Sequence, residues 1–122
     1  MNWLEHDYLV PIFLGSCKVS TDTAKALRKA KRARVHFFAE KFDIMKNIKF
    51  LCHKVTPFRE HLLLFSLMDF AEELEEYNYP VIIYGEVMKD FIESKREALE
   101  SRFLVVSCDY ANKCIMGEQN GI

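Results

Sequence analysis

Cys17 follows Gly15 and Ser16 at the end of the apolar run Val10–Leu14 and stands just ahead of a segment with helical spacing. A helix N-terminus lowers the pKa of a thiol and favours the thiolate, which is the nucleophilic form. No histidine adjoins Cys17 in sequence to serve as its base, and the Cys-x5-Arg loop of a cysteine phosphatase would need arginine where Thr23 stands. Cys17 therefore reads as an incidental thiol, and an independent enzyme built on it is the least supported reading.

The other chemistry-bearing residues are scattered. His6, His36, His53 and His61 form no H-E-x-x-H, and Cys108 and Cys114 stand six apart without a second pair, so no metal-ligand spacing results. Phosphoacceptor chemistry would require an aspartate at the end of the third strand, and the stretch FLCHKVTP (Phe50 to Pro57) has none. Gly15 heads no phosphate loop: Cys17 and Ser20 stand where a dinucleotide fingerprint needs glycine, and no G-K-[ST] follows. Glu72, Glu73, Glu75 and Glu76 fall late in a long amphipathic segment and read as a solvated face rather than a catalytic carboxylate pair.

The 122 residues, half of them hydrophobic and 13% aromatic, suffice for one globular domain with an aromatic-rich core. Four cysteines without a C-x-x-C pair, after an N-terminus (Met1 to Asp7) that lacks a secretory pattern, lead to the expectation of a reducing, cytoplasmic compartment. No apolar run approaches the ~20 residues of a membrane helix. Charge is uneven: residues 1–61 carry 12 Lys/Arg against 6 Asp/Glu, and residues 62–122 carry 5 against 12. The basic excess gathers at Lys25, Arg28, Lys29, Lys31, Arg32 and Arg34, which fall in the last turns of a helix and complement its dipole. No aromatic residues interleave with them for base stacking, so they read as a solvated helix end rather than a nucleic-acid surface.

Apolar periodicity sets the order of elements. Tyr8 to Leu14 predicts a buried strand closed by Gly15. A helix capped at Ser20 or Thr21 follows, with Asp22 in its first turn and Ala24, Leu27 and Ala30 facing inward. Val35 to Phe38 predicts a second strand, and the partial alternation of Asn47 to Val55 a third, at an edge. Thr56-Pro57 then reads as N-cap and first residue of a helix reaching about Tyr77, with Leu63, Leu67, Phe70, Leu74 and Tyr77 as its stripe. The run Pro80 to Tyr84 repeats the opening design and is closed by Gly85. A helix from Glu86 to about Glu100 follows, with Val87, Phe91 and Ala98 inward. Phe103 to Ser107 predicts a last strand, and Asp109 to Asn120 a short terminal helix that Gly117 limits.

Strands alternating with helices predict an α/β fold: a three-layer, Rossmann-like open parallel sheet of about five strands in the order 3-2-1-4-5, with helices on both faces. That order sets the first and fourth strands side by side, where crossovers diverge and ligands bind beyond the carboxyl ends. Gly15, Ser16, Cys17, Lys18, Tyr84, Gly85 and Glu86 are the candidate substrate-binding residues of that crevice. No catalytic and no metal-binding residue is assigned.

Two segments carry a family resemblance. VPIFLGSCKVSTDTAKALRKA (Val10 to Ala30) resembles the opening of the N-terminal, pre-ATP-grasp domain of ATP-grasp ligases of the carboxylate-amine ligase and carbamoyl phosphate synthase large-subunit type. YPVIIYGEVMKDFIESKREALESRFLVV (Tyr79 to Val106) resembles a later strand-helix-strand of the same domain, notably at Asp90, Glu93 to Leu99 and Arg102-Phe103. CIMGEQNGI (Cys114 to Ile122) is similar to the helix that leads out of it. The resemblance spans residues 8–122. It implies one such domain over 1–122, with 1–7 an N-terminal extension and 108–122 a C-terminal tail or exit helix. It further implies a wall of an acceptor-substrate site, at Gly15, Gly85 and Glu86, that is inactive alone. ATP and Mg²⁺ belong to the ATP-grasp domains of a parent chain or partner protein, and this chain carries no cofactor. The alternative is a stand-alone small-ligand binding or protein-interaction module, self-associating through an exposed terminal segment or the edge strand near Ile48 to Cys52. No membrane partner is expected.

Overall fold

The computed structural model describes residues 3–14, 18–31, 35–40, 54–58 and 60–117. In chain order these form β1 (Leu9–Leu14), α1 (Lys18–Lys31), β2 (His36–Glu40), β3 (Lys54–Phe58), α2 (Leu63–Glu73), β4 (Tyr79–Tyr84), α3 (Lys89–Glu100), β5 (Leu104–Ser107) and α4 (Cys108–Met116). Short 3-10 turns cover Trp3–Glu5, Glu60–Leu62 and Glu86–Met88. The strands build one parallel sheet in the order β3-β2-β1-β4-β5. The class is α/β and Rossmann-like.

The sheet is apolar on both faces, as a parallel sheet sandwiched by crossover helices must be. Phe13, Phe37, Val81, Ile83 and Val106 point to one side, where they meet Ala24 and Leu27 of α1, Ala111 and Cys114 of α4, and Trp3. Ile12, Leu14, Phe38, Ile82 and Val105 point to the other, against Leu63, Leu67 and Ala71 of α2 and Ile92 and Leu99 of α3. Right-handed crossovers account for this division. The path from β1 to β2 moves one way along the sheet, and those from β3 to β4 and β4 to β5 move the other way, so their helices land on opposite faces. Phe13 and Phe37 stack across β1 and β2 with ring centroids 5.2 Å apart.

Proline removes a ladder amide and is rare in central strands, yet Pro11 lies in β1 and Pro80 in β4. The registers resolve this. β1 meets β2 only from Ile12 onward, and β4 meets β5 only from Val81 onward. Each proline thus precedes the point where its strand acquires a second neighbour.

Several boundaries differ from the sequence expectation. α1 begins at Lys18, so Ser20 and Thr21 lie inside the helix rather than at its cap, and Ala30 is exposed. Thr56 and Pro57 belong to β3, opposite Phe38 and Ala39, instead of opening a helix. An edge strand needs ladder amides on one side only, which accommodates the proline. The predicted strand residues 47–53 lie outside the described residues. α2 stops at Glu73 because Leu74 turns extended and Asn78 folds back: its Oδ1 accepts from the Glu75 amide at 2.9 Å, and its own amide donates to the Glu75 carbonyl at 3.0 Å. Such local side-chain bonds compete with the helix and leave Tyr77 exposed.

The inward face of the fourth-strand crossover is Ile92 and Leu99; Val87 is 70% exposed, and Phe91 and Ala98 are half-buried. Val87 sits in the 3-10 turn before α3, so its direction does not follow the helical period. α4 starts at Cys108, one residue before the expected start, and buries Cys108, Ala111 and Cys114. Gly117 ends it in the left-handed conformation, φ 75°. At the other terminus the turn at Trp3 packs on the core and His6 stacks on Tyr79 at 4.5 Å.

Candidate functional site

Leu14 and Tyr84 lie opposite each other as the last residues of β1 and β4, adjacent and parallel. Crossovers leave this pair of strands in opposite directions, so their carboxyl ends are not covered by a connecting helix. Gly15, Ser16 and Cys17 come next in the sequence and lie outside the described residues, and of Lys18 the structure describes only its place as the first residue of α1.

Tyr84, Gly85 and Glu86 line a cavity of about 280 Å³. Its remaining lining is Val87, Ser107, Cys108 and Asp109. The cavity thus spans the carboxyl ends of β4 and β5, one strand further along the sheet than the β1–β4 junction. Parallel pairing of Tyr84 with Ser107 brings the two exits to one level.

Each lining group has a local reason for its position. Gly85 is buried and extended, φ −89° and ψ 173°, a backbone any residue adopts. Its carbonyl accepts from the Met88 amide at 3.0 Å, which closes the 3-10 turn. Tyr84 turns its half-buried ring toward α3, where its hydroxyl oxygen accepts from Arg96 Nη2 at 3.4 Å. Ser107 caps α4: its Oγ accepts from the Tyr110 amide at 3.1 Å. Cys108, the first residue of α4, is 2% exposed and closes the floor. Glu86 and Asp109 are exposed and stand in the first turns that follow β4 and β5, where a carboxylate complements the positive end of the helix.

Chemically, this lining offers a serine hydroxyl, first-turn backbone groups, two carboxylates and an apolar wall from Val87. Among its described lining residues there is no lysine, arginine or histidine. A ligand bearing an amine or hydroxyls meets complementary partners here, whereas a polyphosphate meets two like charges. No nucleophile stands beside a base among the described lining residues, since Cys108 is buried and no histidine faces it.

The sequence missed Val87, Ser107, Cys108 and Asp109. The signal for Ser107 was present: a serine directly after the apolar run Leu104–Val106 is an N-cap placed to start a helix one residue later. The described histidines are apart: His6 stacks on Tyr79 and His36 meets Phe70 edge-on, while His53 and Cys52 lie outside the described residues. Among the described residues no group of three or more His, Cys, Asp and Glu could hold a metal ion, and no helix is long and apolar enough to cross a membrane. The Glu72–Glu76 carboxylates are exposed, and Glu72 pairs with Arg102. Arg28, Lys29 and Lys31 occupy the last turn of α1; Arg32 and Arg34 lie outside the described residues. No protein-family model, curated protein or solved structure matches the chain.

Proposed function

We propose that this chain is the substrate-side domain of an ATP-dependent carboxylate-amine ligase of the ATP-grasp type, and that it holds a small polar substrate at the carboxyl ends of β1, β4 and β5 without catalysing a reaction by itself. The observation that carries this reading is the pairing of Leu14 with Tyr84, which puts both glycine-closed strand exits on one edge of the sheet. The class of ligase comes from the residue resemblance at Val10 to Ala30 and Tyr79 to Val106; a fold of this class hosts many functions and adds only analogy. Support also comes from the cavity lining. Its carboxylates suit the amine partner of such a ligation, and none of its described lining side chains is a cation that would polarise a phosphate. ATP and Mg²⁺ would be bound by the ATP-grasp domains of a parent chain or partner, where the acyl phosphate would form.

Glu86 and Asp109 have the role of attracting the amine end of the substrate, Ser107 and the neighbouring amides that of orienting it, and Val87 that of excluding water from one side. Nuclear magnetic resonance titration of the isotope-labelled chain tests this. Small amines, amino acids and dicarboxylates are added separately, with ATP–Mg²⁺ as the comparison. The expected result is saturable shifts at Gly85, Val87 and Cys108 with an amine-bearing ligand and none with ATP. Shifts there with ATP, or none with any small ligand, would overturn the reading.

A second reading is a stand-alone small-ligand module that would use the same cleft without a ligase partner. The two readings separate on a ligase partner. Addition of an ATP-grasp domain strengthens ligand binding in the first and leaves it unchanged in the second.

A further inference from the structure

A second cavity, of about 620 Å³, lies between the first turns of α2 and the first half of α3, lined by His61, Leu64, Phe65, Asp90, Phe91, Ser94 and Lys95. It shares no residue with the cleft at β4 and β5. Its volume falls in the range of small-ligand sites, roughly 300–1,000 Å³. Phe65, on its α2 wall, is 70% exposed, while Leu64 and Phe91 are half-buried and form an apolar floor. The phenyl ring is left this open on a helix that buries Leu63, Leu67 and Ala71.

The α3 wall carries opposite charges in a defined order. Asp90 and Ser94 are one helical turn apart, as are Phe91 and Lys95, so the four make two adjoining ridges. The carboxylate comes first along the helix and the ammonium five residues later, a rise of about 7–8 Å that flexible Lys95 shortens. Neither Asp90 nor Lys95 forms an ion pair with a described residue. Ser94 Oγ donates to the Phe91 carbonyl at 2.9 Å, which leaves its oxygen to accept.

We propose that this groove is a binding site for a small zwitterion with an aromatic body, in chemical class an aromatic amino acid, with its ring against Phe65, Leu64 and Phe91, its ammonium toward Asp90 and its carboxylate toward Lys95. An anionic ligand alone meets Asp90 as a like charge, and a cationic one meets Lys95; only a ligand bearing both signs satisfies both side chains while its ring covers Phe65. This site stands independently of the function proposed for the β4–β5 cleft.

Three probes with the same ring test it: phenylalanine, 3-phenylpropionate and phenethylamine, titrated into the full chain while the amide signals of Phe65, Phe91 and Lys95 are followed. Exposed ion pairs of this kind are worth about a 1.5- to five-fold change in affinity each, so phenylalanine is expected to bind that much more tightly than either singly charged analogue. Lys95→Gln removes the advantage over phenethylamine and keeps that over phenylpropionate; Asp90→Asn does the reverse. Both side chains are exposed, and an unchanged melting temperature verifies that each variant is folded. Equal binding of the three probes, shifts confined to the Tyr84–Val87 cleft, or no saturable binding would overturn the proposal.

Discussion

Ile82 sits directly opposite Ile12 in the two central strands of the sheet, and both side chains are fully buried on the face covered by α2 and α3. The pair lies two residues before Leu14 and Tyr84, so the packing that anchors the middle of the sheet also fixes the level at which β1 and β4 end. Stability and site geometry therefore share residues on these strands.

Ile82→Ala tests the shared part. Removing the branched side chain from a fully buried central position is expected to cost about 2–5 kcal/mol, the usual range for such truncations. Denaturant unfolding measures it. Phe65→Ala, by contrast, is expected to stay within about 0.5 kcal/mol of the parent, because a side chain this exposed loses little on truncation.

Ser107→Ala removes the hydroxyl that accepts from the Tyr110 amide. A lost N-cap costs about 1 kcal/mol, and Ser107→Asp, which can still accept, is expected to recover most of it. Thermal unfolding followed by circular dichroism distinguishes the two. Equal losses for both variants would mean that Ser107 matters for packing in the cleft and not for its cap.

Gly117→Ala places a side chain at φ 75°, although the added carbon would meet no atom within 4 Å. The expected loss is about 1–2 kcal/mol, all of it backbone strain. Asn, which tolerates this conformation better, is expected to lose less. A loss in Gly117→Ala accompanied by a change in folded-state contacts would contradict a purely conformational origin.

Cys108 and Cys114 are 2% and 5% exposed. Their thiols are expected to react with a disulfide reagent only through opening of α4, far more slowly than in denaturant. Counting reactive thiols against time, in variants each retaining one cysteine, reads this directly; immediate native-state reaction of Cys114 would show that α4 is not docked on the sheet.

Arg102 pairs with Glu72 across the α2 and β5 ends, with both groups well exposed. Solvent screening leaves such a pair worth at most about 0.5–1 kcal/mol. Arg102→Ala is expected to lose no more than that, and the loss is expected to shrink in molar salt, as a comparison of unfolding midpoints would show.

The strands closed by Gly15 and Gly85 were legible because a strand buried on both faces is written as an unbroken apolar run, and the sense of the crossovers then limits the order in which such strands can lie. Leu63 and Leu67 were legible for the same reason, through the helical period. The errors fell where a local signal admits two answers. Thr56-Pro57 suits a helix start as well as an edge strand, and only the pairing of Pro57 with Ala39 decides. Val87 fits the helical stripe of the following segment but belongs to a turn.

By itself, then, the sequence determined the alternation of strands and helices, the two apolar faces of the sheet and the edge at which a ligand cleft could form, since these follow from periodicity and chain handedness. Only the tertiary structure decided that the cleft is walled by Ser107, Cys108 and Asp109 beside Tyr84, Gly85 and Glu86. It alone also decided that Phe65 faces Asp90 and Lys95 across a groove. Residues more than 20 positions apart share these walls, and no local pattern encodes which distant helix turn meets which strand end.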